Sequence, residues 1–504
     1  MSDDSISRER LEAPPGDVYT ETVLEPSYRF MLEHYFWPLV ETNKAWAAML
    51  VRTGIVGEDV GGRLLDAILE LEREGPRALG EFDPRYEYFY SHMERWLIQR
   101  AGEEVAGEIN IGRTRPEPLT RMALRARLLD LTEGAAGFAA ALLDLAEREA
   151  GTVMPQWTHF QLAQPSTLGH YLTAIANAVE RDVGRVLAAF KTTNRCTLGC
   201  GALAGTSYPV DRDLVARLLG FEGVVENTID AVSGGDYVLE STAATAGLTV
   251  TLSRLSQDLY IWHTEEFGFV SVADEFAGSS SMMPQKKNAY PFEYVRARAA
   301  HAIGDMNAAF VTLHNTNYQD IKDVEEEMVP PAFRALAEAD RSIRLLDGTI
   351  ASMEIRRERM LARAGAGFAT ATELAATIHR ATGLSARSAH RVVGNLVLRA
   401  SKREQGGGDV NLALVNESAR EVVGHDLDGL DEEAVRRAMD PRGFVAAHAV
   451  PGGPAEERVQ EAIAAARQRL AADVVAPARA ARDRVYAANR ELDQLCRERR
   501  QLVV

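Results

Sequence analysis

The chain has 504 residues, 46% of them hydrophobic and 26% charged, with 56 basic against 73 acidic side chains for a formal net charge of −17. This is an ordinary soluble globular composition, and the length predicts two to four domains or one elongated one. The acidic balance argues against a nucleic-acid or anionic-membrane surface, yet leaves room for a local basic pocket that takes small anions.

The N-terminal stretch MSDDSISRERLEAPPGD is polar and acidic, unlike a secretory signal. No apolar run approaches the ~20 residues of a spanning helix, so the expectation is a cytoplasmic protein with no membrane partner. Apolar positions three and four apart predict helices near 28–52, 58–74, 119–150, 166–190, 240–264, 289–315, 330–365 and 455–500. Strand-like alternation is nearly absent, and EFGFVSVADEF (266–276) is read as a connector, so the class is all-α. The helix over 289–315 is rich in Ala and carries little charge after Arg298, which predicts burial among other helices in a central bundle. The C-terminal helix, ARDRVYAANRELDQLCRERRQ, is charged on several faces and is expected to lie outside. Cys196 and Cys200, spaced C-x3-C, have no second pair or His cluster nearby, and with Cys496 they read as reduced, packed thiols.

Three polar, loop-like stretches border these helices. In NIGRTRPEP (Asn110–Pro118) two guanidiniums, Arg113 and Arg115, flank Thr114 ahead of prolines that keep the backbone extended. They suit a bidentate grip on a carboxylate, or else solvated arginines at a helix boundary. WTHFQLAQP (Trp157–Pro165) holds Thr158, His159, Gln161 and Gln164 ahead of a helix; a lone His is more often structural than catalytic. GSSSMMPQKKN (Gly278–Asn288) places three serines beside two lysines on a stretch too irregular for helix or strand, with Glu293 five residues beyond Asn288.

Together these stretches resemble the three signature regions of the aspartase/fumarase superfamily, in its argininosuccinate lyase branch. The third region of that family reads G-S-S-x-M-P-x-K-x-N, and Ser280-Ser281-Met282-Met283-Pro284-Gln285-Lys286-Lys287-Asn288 fits it, with Ser279 in place of the glycine. Similarity continues in LGCGALAGTSYPVDRD, NTIDAVSGGDYVLE, GFATATELA and GLSARSAHRVVG, and spans about residues 27–460.

The resemblance implies a three-domain, all-α fold (1–112, 113–364 and 365–504) around a long-helix bundle, and a homotetramer whose composite sites draw the three regions from three subunits. It implies anti β-elimination of fumarate from an N-substituted aspartate, with no metal or organic cofactor. Ser280 would be the base, and Lys286 and Asn288 would stabilise the aci-carboxylate. His159 and Glu293 would form a charge-coupled pair. Arg113, Thr114, Arg115, Asn110, Thr158, Gln164, Ser281, Met282, Met283, Tyr318 and Asp323 would bind substrate.

The sequence departs from the family on the amine side. The family's G-R-S-R-N-D-Q is Gly112-Arg113-Thr114-Arg115-Pro116-Glu117-Pro118 here, so an Asn becomes a proline without an N–H. No Asp occurs between Asp17 and Asp59, where the family grips its amino acid. In YQDIKDVEE (318–326) Tyr318 is kept, but the family's Gln and Lys become Asp323 and Glu326. Added acids favour an ammonium-bearing leaving group received by Asp323 or Glu326. This pattern resembles that of family members acting on aminopolycarboxylates, and the resemblance implies ethylenediamine-N,N′-disuccinate foremost as substrate, cleaved to N-(2-aminoethyl)aspartate and then the diamine, with argininosuccinate as the alternative. Adenylosuccinate ranks last, and a silent, crystallin-like structural relative is disfavoured by the intact Ser280, Lys286, Asn288, His159 and Glu293.

Overall fold

Helix ends in this chain sit where the sequence supplies a stop or a start. The computed structural model describes residue 11 and residues 13–114 and 118–498. Thr167 caps the helix Leu168–Thr193 by accepting the His170 N–H at 3.0 Å, and Pro291 occupies the first turn of Tyr290–Leu313, where no N–H is needed.

Five helices make the bundle: Leu119–Arg148, Leu168–Thr193, Asp236–His263, Tyr290–Leu313 and Val329–Ser352. At 1.5 Å per residue they run about 36–45 Å. Four close a ring: 119–148 on 168–193, then 236–263, then 329–352, and back to 119–148. The approach of the first pair is close, since a Cβ on Gly169 would lie 2.5 Å from the Ala146 carbonyl oxygen.

The helix 290–313 packs on 236–263 and 329–352 from outside that ring. It buries Phe292, Val295, Ala299, Ala302 and Ala309, but leaves Tyr294, Ile303, Phe310 and Val311 exposed. Its expected burial among other helices is thus met on one side only within a single chain.

Two readings change. The expected loop WTHFQLAQP lies in an antiparallel hairpin, Val153–Thr158 (β1) with Gln161–Thr167 (β2). Pro155 faces Pro165 across it, so neither gives a ladder N–H there, and the two prolines hid the strands from a pattern reading. The connector after residue 266 also carries a short strand, Val270–Ser271 (β3), paired with Glu354–Ile355 (β4), and the latter interrupts the helix expected over 330–365.

A second apolar cluster, built on Leu374, Ile378, Val392, Leu396, Leu414, Val415 and Val435, belongs to the short helices between 371 and 439. The helices Glu456–Arg469 and Ala476–Glu498 return to the main core through Val459, Ile463, Leu492, Leu495 and Cys496. The last helix is therefore peripheral, as its charges suggest, with one apolar stripe buried. Lys44, almost wholly buried, locks it by ion pairs to Asp493 and, at 2.7 Å, to Glu72. All three cysteines are buried, and none is in a disulfide. Among the described residues no helix is long and apolar enough to cross a membrane.

Candidate active site

The loop 279–287 is pinched at its base. Gly278 and Asn288 exchange two backbone hydrogen bonds, each 2.9 Å, and the Asn288 side chain adds Nδ2–H to the Gly278 carbonyl at 3.1 Å. Gly278 must lack a side chain, because a Cβ there would lie 1.9 Å from the Tyr290 ring. Lys287 pairs with Asp274 at 2.7 Å. Between these ties Ser281, Met282, Met283 and Lys286 are exposed, Met282 at 88%.

Within the loop the Ser280 Oγ accepts the backbone N–H groups of Met282 (3.3 Å) and Met283 (3.0 Å). Donors aimed at a hydroxyl oxygen favour its deprotonated form, which is the electrostatics a serine base requires. Lys286, Asn288 and Glu293 line one open cavity of about 610 Å³ with His263, Arg356 and Arg359. Glu293 accepts from the Tyr260 hydroxyl at 3.1 Å, and burial with that bond raises the Tyr260 pKa.

His159 sits at the tip of the β1–β2 hairpin. It and Phe160 form the two-residue turn, with φ of 51° and 60°. Positive φ at both positions is the type I′ geometry that normally recruits Asn or Gly, so a His-Phe pair here is backbone strain held in place at a candidate site. Thr158, His159 and Gln164 are exposed, and Gln164 donates to Thr372 at 3.0 Å. Trp157 anchors the hairpin on Phe267, ring centroids 5.5 Å apart.

Arg113 lies below the Leu119 helix start, over the Tyr90 ring at 5.4 Å, and gives one N–H to Asn43 at 2.7 Å. Its Nε and Nη2 are buried without a partner among the described residues. Two such donors on one guanidinium have the geometry that a carboxylate can answer. Asn110 is bound to Tyr90 (2.7 Å) and Glu94. Arg115 lies outside the described residues.

Thr114 borders two cavities that share Met31, Tyr35, Asp320 and Glu325. The larger, about 400 Å³, is walled by Tyr88, Phe89 and Tyr90 and carries Lys322, Glu325 and Glu326. Burial pulls the Lys322 ammonium down, but Glu325 (2.8 Å) and Glu326 outweigh it and hold its pKa above the usual lysine range. Burial raises the Glu325 pKa against the opposing pull of Lys322. Glu326 also accepts from Ser27 at 2.9 Å. Asp323 is exposed and is not among the residues lining either cavity. The acids lining the larger cavity are Asp320, Glu325 and Glu326, so of the two acids expected there Glu326 is present and Asp323 is not. Spacing could have found them, since Ile321/Glu325 and Lys322/Glu326 are four apart and leave Asp323 on another face. Tyr318 donates to Asp230, and that bond, with partial burial, pushes its hydroxyl up to about 12.

Within one chain these parts stay separate. Thr114 lines one space and Lys286, Asn288 and Glu293 another, and no hydrogen bond or ion pair joins His159 to Glu293 among the described residues. Nor, among those residues, is any group of three or more His, Cys, Asp and Glu placed to hold a metal ion.

Comparison with known proteins identifies this helical bundle with its pinched serine–lysine loop as a lyase, and gives its kind. The lyase family matches residues 92–304, and the argininosuccinate lyase C-terminal family matches residues 368–446. Argininosuccinate lyase from Methanothermobacter thermautotrophicus is 38% identical over 433 residues, 85% of this chain and 92% of that one. That from Shouchella clausii is 31% identical over 92% of this chain and 93% of its own. A solved structure of an EDDS lyase variant with bound fumarate superposes with a TM-score of 0.85 at 29% identity, covering 97% of this chain and 96% of that one. A class II fumarase from Schistosoma mansoni, 15% identical over 85% of this chain and 92% of that one, shares the fold with a TM-score of 0.66. The protein is a fumarate-releasing carbon–nitrogen lyase. It belongs to the argininosuccinate lyase branch of the aspartase/fumarase superfamily and is a relative of EDDS lyase.

Proposed function

We propose that the protein removes fumarate from an aminopolycarboxylate, ethylenediamine-N,N′-disuccinate in the first instance, as a homotetramer with sites shared between subunits. Ser280, as alkoxide, takes the proton from the carbon beside the carboxylate. The electron pair enters that carboxylate, and Lys286 and Asn288 face the added charge. The pair returns to make the C=C bond as the C–N bond breaks, and the amine leaves with a proton supplied from the side of His159 and Glu293. Arg113, Thr114 and Ser281 hold carboxylates, and closure of the loop excludes water so that the alkoxide can persist.

The observation that carries the choice of amine is the cavity beside Thr114. Its acids Asp320, Glu325 and Glu326 outnumber its one lysine, Lys322, which Glu325 and Glu326 already bind, and the surplus negative charge suits an ammonium. A leaving amino acid such as arginine would bring a carboxylate and find no uncommitted lysine there. Sharing between subunits is supported by the separation of the three regions in one chain and by the exposed Ile303, Phe310 and Val311 on the helix that follows the loop. A second reading, cleavage of argininosuccinate, is favoured by the identity to the argininosuccinate lyases named above.

The test is fumarate release, followed by ultraviolet absorbance, on both substrates with the same preparation. Faster turnover of ethylenediamine-N,N′-disuccinate is expected; robust turnover of argininosuccinate with none of the diamine conjugate would sink the choice of amine. Ser280→Ala should abolish fumarate formation and leave the mass by light scattering unchanged at four chains. Near-normal activity in that variant would refute the base.

A further inference from the structure

His263, the last residue of the helix Asp236–His263, touches both ends of the loop segment at once. Its Nδ1 accepts the Val272 N–H at 3.4 Å, ahead of the loop, and its Nε2 donates to the Lys287 carbonyl at 3.2 Å, between Lys286 and Asn288. Val272 can only donate and the Lys287 carbonyl can only accept, so the pair of bonds fixes a neutral ring with its proton on Nε2.

We infer that His263 is a positioning residue for the loop: it sets the backbone that carries Lys286 and Asn288, and it does so through the Nε2–H bond to the Lys287 carbonyl. The inference rests on the elimination proposed above, in which those two side chains face the aci-carboxylate.

Three considerations carry it. First, the base of the loop is otherwise tied through Gly278–Asn288 and Lys287–Asp274. The second of these is an ion pair whose acid is almost fully exposed, so it restrains the backbone weakly. His263 holds the carbonyl side of the Lys287–Asn288 peptide, whose N–H side is held by the Gly278 carbonyl. Second, the ring stands on a fixed platform. The segment following it is held by Arg359, whose guanidinium donates to the carbonyls of Phe267 (2.6 Å) and Glu265, and by the Phe269 N–H bond to the Trp262 carbonyl at 2.8 Å. Third, His263 lines the same cavity as Lys286, Asn288 and Glu293 but offers that space no free nitrogen, since both are engaged. A residue so placed acts through the loop rather than on the substrate. A displacement of Lys286 and Asn288 of order an ångström is enough to cost between about tenfold and a hundredfold in rate.

Two isosteres divide the ring's bonds. In His263→Gln the amide nitrogen reaches the Nε2 position and can still donate to Lys287, whereas in His263→Asn the amide oxygen reaches the Nδ1 position and can still accept from Val272. The experiment measures kcat and KM for fumarate release in wild type, His263→Ala, His263→Gln and His263→Asn, together with hydrogen exchange of the peptide covering 272–290. The expected result is a fall in kcat of about ten- to a hundredfold in the Ala and Asn variants, with KM nearly unchanged. Exchange at Asn288 should be faster in both, and the Gln variant should recover most of the rate. A wild-type kcat in His263→Ala, or rescue by Asn but not by Gln, would overturn the positioning role. If the wild-type protein released no fumarate from either substrate, the elimination reading would fail. The exchange rates would still decide whether His263 holds the loop.

Discussion

The Tyr290 ring lies against the α-carbon of Gly278, so that a methyl group at 278 would sit 1.9 Å from the ring. The glycine at the loop's entry is therefore fixed by an aromatic at the start of the next helix. Gly278→Ala must push either the ring or the Gly278–Asn288 pairing aside, an overpacking cost of about 1–3 kcal/mol. The expected outcome is a kcat lower by about a hundredfold, following the loss of loop geometry. In a double-mutant cycle, Tyr290→Ala should cancel most of that loss. Simple additivity of the two changes would show that the clash is not the cause.

Arg113 gives a prediction in which stability and binding part company. Its Nε and Nη2 are buried with no partner among the described residues, a liability in the free protein that a bound carboxylate would remove. Arg113→Met should leave the thermal midpoint equal to or above that of wild type. In wild type, fumarate at a hundred times its dissociation constant should add about 2.7 kcal/mol of stability, and in the variant it should add none. An unchanged fumarate shift in Arg113→Met, read by thermal unfolding, would count against the carboxylate role.

What the sequence discloses here is uneven for physical reasons. Long helices such as 25–52 and 119–148 bury a broad stripe, so their apolar period shows through any surface decoration. The hairpin 153–167 does not, because two facing prolines break the alternation on which a strand reading depends. In the last helix, Leu492, Leu495 and Cys496 are buried among charged neighbours, and only tertiary packing distinguishes them. At the site, the Gly278–Asn288 loop was legible as a motif, since its chemistry resides in the residues themselves. The acids lining the cavity beside Thr114 were legible only through helical spacing, because Asp320, Asp323, Glu325 and Glu326 differ only in which face of a turn they occupy. The backbone N–H groups that meet Ser280 leave no trace in side-chain identity.

Lys44 ties three helices, and the order of its mutational costs follows from burial. Burial alone would lower its pKa, but the bonds from Asp493 and Glu72 outweigh it and raise it. A raised lysine pKa contributes stability that is complete at neutral pH and is lost only as pH rises through the alkaline range above the ordinary lysine value. Removing the cation in Lys44→Met leaves two carboxylates that are already 28% and 42% exposed and can be hydrated. The pair Glu72→Gln with Asp493→Asn instead leaves a buried ammonium, a loss of about 3–5 kcal/mol in buried cases, reduced here by the partners' exposure. The double variant should therefore unfold at lower urea than Lys44→Met at pH 7. The reverse order would show that the carboxylates, not the lysine, carry the burial cost.

The turn at His159 should behave as strain maintained for function. With φ of 51° at His159 and 60° at Phe160, both residues occupy a region that costs most L-residues about 1–2 kcal/mol each. Asn enters that region readily, so His159→Asn should keep the hairpin and gain several tenths of a kcal/mol in stability at most. If His159 moves a proton at the departing nitrogen, the same change should lower kcat by about a hundredfold or more. The loss should be smallest for substrates whose amine leaves easily without protonation. Chemical denaturation and steady-state kinetics on one preparation separate the two effects. A variant both less stable and fully active would mean that the turn is held by the imidazole for structure alone, and that the proton comes from elsewhere.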